Sequence, residues 1–301
     1  MKTLQARRGV TFLAIAVWLG LAGNAALAQF DVGDLLKRGE QTVKGLDKLG
    51  KAAGDIDPST EYYIGRSAAA NVLAKYPTYD DEQANRYVNQ VGHALAAFSR
   101  APEVYSGYHF QLLDSDEVNA FAAPGAFIFV TRGMLRLCQN EDELAAVLAH
   151  EIGHVQNRHA VEHIKSSRRG DFGAFVGKVA LEEAGPAEIQ LAGDALAKGV
   201  DATKDLLFVK GYGQSAEKRA DEDAVRMLRA TGYNPWAMLR VLERMNERSK
   251  KEKGLGIFRT HPKTDDRIKV VRKELKGVSD SQVPAVRVER FESALRQARA
   301  E

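Results

Sequence analysis

Five residues constrain this chain most: His150-Glu151-Ile152-Gly153-His154, set inside its strongest helix signal. Asn140 can cap that helix, and Glu143 stands three residues on, the spacing of a capping box. Leu144, Val147, Leu148, Ile152 and Val155 repeat at helical spacing, so the helix is expected to run to about Ser166. At 100° per residue, His150 and His154 point within about 40° of each other. Two imidazoles so placed can reach one zinc ion at about 2.0–2.1 Å. Glu151 lies beside them, able to reach a metal-bound water but not placed as a third ligand. Zinc lowers the pKa of such a water toward about 7, where a carboxylate can take its proton.

A catalytic zinc needs a third protein ligand and an open position. His159 falls one residue short of the metzincin spacing, where Ala160 stands, and Asn157 holds the glycine position. On an unbroken helix His159 sits about 140° around from His154, and His163 is similarly off-face. Both are expected to be structural or solvent-facing. Glu217-Lys218-Arg219-Ala220-Asp221 is the better source, with two acids four apart on one face of a second helix. Glu217 can complete a His-His-Glu set. Asp221 can accept a hydrogen bond from the free nitrogen of His150 and fix its tautomer. Acids at this spacing are common on solvated helices, and the upstream motif gives this pair its meaning. His261-Pro262 is a proline-stiffened loop histidine. It either hydrogen-bonds the oxyanion of a tetrahedral intermediate or binds zinc as a fourth ligand.

Composition narrows the partners. Apolar residues make up 45% of the 301 and charged residues 28%, an ordinary globular mix. The net charge of +3 comes from Lys2, Arg7 and Arg8, and without them 40 bases balance 40 acids. A nucleic-acid partner therefore gets no electrostatic support. The single cysteine, Cys138, excludes an internal disulfide or a cysteine-built metal cluster.

Along the chain, residues 1–28 read as a cleavable signal peptide: a basic start, an apolar run from Val10 to about Gly23, and Ala26-Leu27-Ala28 before Gln29. This expects a periplasmic protein cleaved near Ala28-Gln29. Residues 29–57 form an amphipathic arm, either packed on the body or a loose tail. Residues 58–276 form the main domain. Helices are expected over 60–76, 80–99, 214–231, about 235–248 and 264–275, with strands at Tyr108–Leu113 and Phe127–Thr131. The Gly- and Ala-rich stretch 167–213 is a mobile lid, a membrane-touching surface or loosely packed helices. A linker and a final amphipathic helix fill 277–301.

HEIGH, EKRAD, NAFAAPGAFIFV and RTHPKTDDR occur in a fixed order over roughly residues 60–275. Together they resemble the HtpX and CAAX prenyl protease-type gluzincin metallopeptidase family, in its periplasmic BepA-like branch. The resemblance implies an α+β fold: a mostly helical zincin-like metalloprotease domain with a small β-sheet whose edge strand borders the active-site cleft. It implies one Zn2+ per chain on His150, His154 and Glu217, with Glu151 as general base and Asp221 behind the ligands. His261 matches the family's histidine near the zinc, a transition-state or latency group. Arg267 matches its arginine, structural or transition-state-supporting. The segment from Asn119 to Thr131, Asn119, Ala120, Phe121 and Ala122 first, resembles the substrate edge, whose unpaired backbone would hold an extended peptide as an added strand. Ala126 replaces the second glycine of that segment, which bears on the shape of its turn. No 34-residue repeat follows, so the tetratricopeptide domain of that branch is not expected.

The expected function is a zinc endopeptidase of the bacterial envelope that hydrolyses misfolded or unassembled proteins through Glu-activated zinc-bound water. Its partners would be unfolded substrates and envelope or outer-membrane assembly factors, with membrane contact peripheral. The alternative is a non-catalytic, chaperone-like zinc protein that binds unfolded envelope segments.

Overall fold

The computed structural model describes residues 56–166, 203, 206–207, 211–251, 260–261 and 264–300. The signal segment 1–28, nearly all of the 29–57 arm, most of the 167–213 stretch and Pro262 lie outside the described residues. The described residues fall within one compact unit that includes the C-terminal helices.

Helix α1 spans Pro58–Lys75, and the Asp57 carboxylate accepts the free amides of Ser59 and Thr60. Helix α2 spans Glu82–Ala96 and is capped by Asp81. Three strands follow: β1 His109–Leu113, β2 Ala120–Ala123 and β3 Phe127–Thr131. Their order is β1-β3-β2, with β1 parallel and β2 antiparallel to β3. The predicted edge segment therefore divides: only β2 is an edge, and β3 is the central strand. The turn between them holds Gly125 at φ 66° and Ala126 at φ 65°. Ala126 thus takes the left-handed backbone that glycine tolerates, with its methyl fully buried.

After the short helix α3 (Arg132–Leu137) comes α4, Glu141–Gln156, which carries the HEIGH residues. The Asn140 side chain accepts the Glu143 amide at 3.0 Å, and the Glu143 carboxylate accepts the Gln139 amide at 2.8 Å. The expected capping box forms with its return bond displaced by one residue.

The acids of the first turn of α4, Glu141, Asp142 and Glu143, are all buried. Glu141 pairs with Arg290 and accepts from the hydroxyls of Tyr87 at 2.6 Å and Tyr233 at 2.8 Å. Asp142 accepts the Asn234 amide at 2.8 Å and faces Arg287. Glu143 faces Arg244. Negative charge at a helix N-terminus also favours the helix dipole.

The expected single helix to Ser166 is two. Arg158 adopts φ 52°, its amide bonding back to Val155 O at 2.8 Å, and α5 restarts at His159–Ser166. Long-range contacts impose the break: Asn157 donates to Asp223 at 2.7 Å, and Arg158 pairs with Glu61 at 2.9 Å.

Helix α6 (Gln214–Ala230) packs across α4, α7 (Trp236–Lys251) also packs on α4, and α8 (Thr264–Glu274) packs on both α6 and α7. A Cβ on Gly153 would lie 3.0 Å from the Ala220 backbone, so the glycine of HEIGH lets α4 and α6 approach closely. The expected final helix breaks at Leu295 into α9 (Ala285–Ala294) and α10 (Arg296–Ala300). Among the described residues, no helix is long and apolar enough to cross a membrane.

Candidate metal centre

The approach of α4 and α6 brings the HEIGH histidines against Glu217. Nε2 of His150 lies 3.1 Å from Nε2 of His154. The Glu217 carboxylate stands 3.5 Å from the first and 3.4 Å from the second. His261 adds Nδ1, 3.3 Å from His150 Nε2 and 3.0 Å from Glu217 Oε1. One atom from each of the four residues lies within 4.8 Å of the others, and all four residues are buried.

A tetrahedral ion with bonds of about 2.0–2.1 Å separates its donors by about 3.3–3.4 Å. Five of the six gaps, at 3.0–3.5 Å, fit that cage, within a set that spans up to 4.8 Å. Imidazole and carboxylate donors suit a divalent ion of the zinc type. The residues present therefore fit a metal ion.

Behind the donors, Asp221 Oδ1 lies 2.9 Å from His150 Nδ1. Arg267 grips Asp221 with two bonds of 2.9 and 2.7 Å and sets Nη1 3.1 Å from Glu217 Oε2. Burial alone would raise the Asp221 carboxyl, but the Arg267 charge outweighs it and holds the group below its ordinary range.

Glu151 is 1% exposed. Its Oε1 lies 3.6 Å from His261 Nε2, and its Oε2 is buried without a hydrogen-bond partner. Burial, first among the causes, raises its carboxyl above the usual glutamate value. A raised carboxylate with a free oxygen can both take a proton and return it.

The structure places the substrate-edge residues next to this cluster. Asn119 O accepts the Thr131 amide, so in antiparallel alternation Ala120 and Ala122 direct their carbonyls away from β3. Those carbonyls are not unpaired, as the resemblance implied. Ala120 O lies 3.3 Å from His261 Nε2, and Ala122 O accepts from the Tyr212 hydroxyl at 3.0 Å. Thr260 Oγ1 reaches the Asn119 side chain at 3.3 Å. Phe121 points the other way, into a buried cluster with Phe129.

Two neighbours escaped the sequence reading. The Tyr212 ring stacks on His154, centroids 3.9 Å apart and planes 17° from parallel. His159, expected to be structural or solvent-facing, is buried with Nδ1 2.8 Å from His154 Nδ1. The helix break before it swings the ring back. A histidine five residues past His154 was the available signal, and the assumption of one straight helix hid it. His163 is half-buried and stays away from the cluster.

The family model for peptidase family M48 matches residues 82–275. The chain belongs to peptidase family M48. It is similar to the β-barrel assembly-enhancing protease of Escherichia coli K12, 27% identical over 244 residues, covering 80% of this chain and 49% of that protein. The protein of that name from Yersinia pestis is 29% identical over 238 residues, 75% of this chain and 46% of the relative. The mitochondrial metalloendopeptidase OMA1 of Schizosaccharomyces pombe is 27% identical over 227 residues, 73% and 63%. This M48 chain spans about half the length of the bacterial relatives it matches. The matched region contains HEIGH, Glu217, Asp221, His261 and Arg267.

Proposed function

We propose that this chain is a zinc-dependent endopeptidase that cuts misfolded or unassembled proteins of the bacterial envelope. One observation carries the reading: a buried carboxylate with an unpartnered oxygen, Glu151, beside a four-residue cage of metal-donor geometry. His150, His154 and Glu217 would hold one Zn2+. The ion would supply Lewis acidity, polarising the scissile carbonyl and acidifying water.

The remaining steps belong to this chain's residues. Asp221 and Arg267 hold His150 and Glu217 in place. Glu151 takes a proton from the attacking water and passes it to the leaving amine. An extended peptide would pair with the β2 edge by main-chain bonds only once the contacts of His261 and Tyr212 to the Ala120 and Ala122 carbonyls open, and such pairing would favour unfolded segments over particular side chains. Because His261 completes the cage and also touches the Ala120 carbonyl, it acts as a cap that incoming substrate displaces.

The relatives named for β-barrel assembly support outer-membrane assembly proteins as substrates or partners. The signal-peptide pattern of residues 1–28 supports periplasmic export, with residues 58–276 as the catalytic domain and 277–301 appended to it. Purified full chain loaded with zinc is expected to cleave unfolded casein, to lose that activity with a chelator and to regain it with zinc. Binding of casein without cleavage, even with His261 replaced by Ala, would favour the chaperone-like alternative.

A further inference from the structure

Helix α10 packs on α3, and these two helices with the end of α9 border a surface cavity of about 590 Å3. Its lining holds Arg136 of α3, Glu292 of α9, and Arg296, Arg299 and Ala300 of α10. None of these residues belongs to the metal centre. Three guanidinium groups share the lining with one carboxylate, and both Glu292 and Arg296 are exposed.

Two of the arginines keep a buried nitrogen without a hydrogen-bond partner: Nη1 of Arg136 and Nε of Arg299. Both groups are otherwise held. Arg136 Nη2 pairs with Asp116, and the Arg299 guanidinium lies 4.9 Å from the centroid of the buried Phe291 ring. A buried donor without an acceptor costs free energy until water or a ligand supplies one. A guanidinium does not shed its proton in a protein, so the positive charge stays with the donor.

This arrangement selects the acceptor. Arginine presents rigid N–H forks that match the oxygens of carboxylate and phosphate. A carboxylate offers two oxygens in one plane. A phosphate offers oxygens in tetrahedral directions, which suits guanidinium groups arriving from two helices. The cavity falls within the range of about 300–1,000 Å3 usual for small-molecule sites, so it has room for an organic group beyond the phosphate.

We propose that this cavity is a phosphate-binding site that takes the anionic head of a phosphate ester between α3 and α10. Arg136 and Arg299 supply the buried donors, and Arg296 supplies charge at the mouth. The site stands independently of the peptidase reading, because none of its residues touches the metal cage.

Titration calorimetry of the full chain with inorganic phosphate, glycerol 1-phosphate and acetate tests it. Both phosphates are expected to bind, and more tightly than acetate. Arg299→Gln and Arg296→Glu are each expected to weaken phosphate binding at least about tenfold, the loss of one charge-assisted hydrogen bond. Arg296 is exposed, so Arg296→Glu carries the test if Arg299→Gln fails to fold. Unchanged affinity in either folded variant overturns the assignment, as phosphate held at the metal centre would give. Acetate binding as tightly as phosphate overturns the choice of ligand.

Flotation with vesicles of phosphatidylcholine, alone or mixed with phosphatidylglycerol, separates the sources of the phosphate. Recovery with the mixed vesicles that Arg296→Glu abolishes supports the site and makes a lipid headgroup its ligand. Binding of glycerol 1-phosphate without flotation supports the site and makes a soluble ester its ligand. No binding of phosphate, ester or mixed vesicles overturns it.

Discussion

His159 stands with its Nδ1 2.8 Å from Nδ1 of His154, on the side of that ring away from the metal cage. Arg219 donates to the far nitrogen of His159 at 3.1 Å and to Glu162 at 2.9 Å. With Tyr212 stacked on its face, His154 has its orientation fixed from two directions. Groups that orient a ligating histidine typically change metal affinity 10–100-fold when lost. His159→Ala is therefore expected to weaken zinc binding by about that factor while the helical content holds. Competition with a chromophoric chelator reads the affinity, and an unchanged value would contradict the orienting role.

The first turn of α4 predicts an acid-side stability term. Burial would raise the Glu141 carboxyl, but Arg290 and the hydroxyls of Tyr87 and Tyr233 outweigh it and bring the group below its ordinary 4.5. A depressed carboxyl adds stability that is complete above the unfolded value and is lost as pH falls through the folded one. Urea unfolding between pH 7 and pH 3 is expected to show a shallower decline for Glu141→Gln than for wild type. Arg290→Ala should cost about 1–3 kcal/mol at pH 7, below the range for fully buried pairs because Arg290 is half exposed. Parallel pH curves would remove the term.

His261 completes the cage in this arrangement, with Nδ1 among the donors and Nε2 at Ala120 O. His261→Ala is expected to raise basal casein cleavage. A fall in kcat with KM unchanged would instead assign His261 to the developing oxyanion.

Cys138 is a free thiol, fully buried, and burial pushes its ionisation up. It is expected to resist alkylation in the folded protein and to react at once in urea. Rapid labelling of the native chain would contradict this packing.

The parts of the site readable in the sequence were those written in local periodicity. HEIGH sits in a capped, regularly apolar helix, and Glu217 and Asp221 share a helix face by spacing alone. What stayed hidden depends on distant partners. The break at Asn157-Arg158 is held by Asp223 and Glu61, so a straight helix read from local periodicity put His159 off the His154 face. Tyr212 lies between glycines in the least patterned stretch of the chain. Strand β2 is four residues, three of them alanine, with little strand preference of its own, and it exists through its pairing with β3. The capping-box spacing marked Glu143 alone, and nothing local showed that arginines from α7 and α9 cover Glu141, Asp142 and Glu143.

The most direct test of the central claim replaces Glu151, the buried carboxylate beside the cage, with Gln. Zinc content and casein cleavage are then measured on the same sample, with wild type alongside. The account predicts unchanged zinc content and at least about a hundredfold slower cleavage. A Glu151→Gln chain that holds its zinc and cleaves at the wild-type rate would show that Glu151 is not the base.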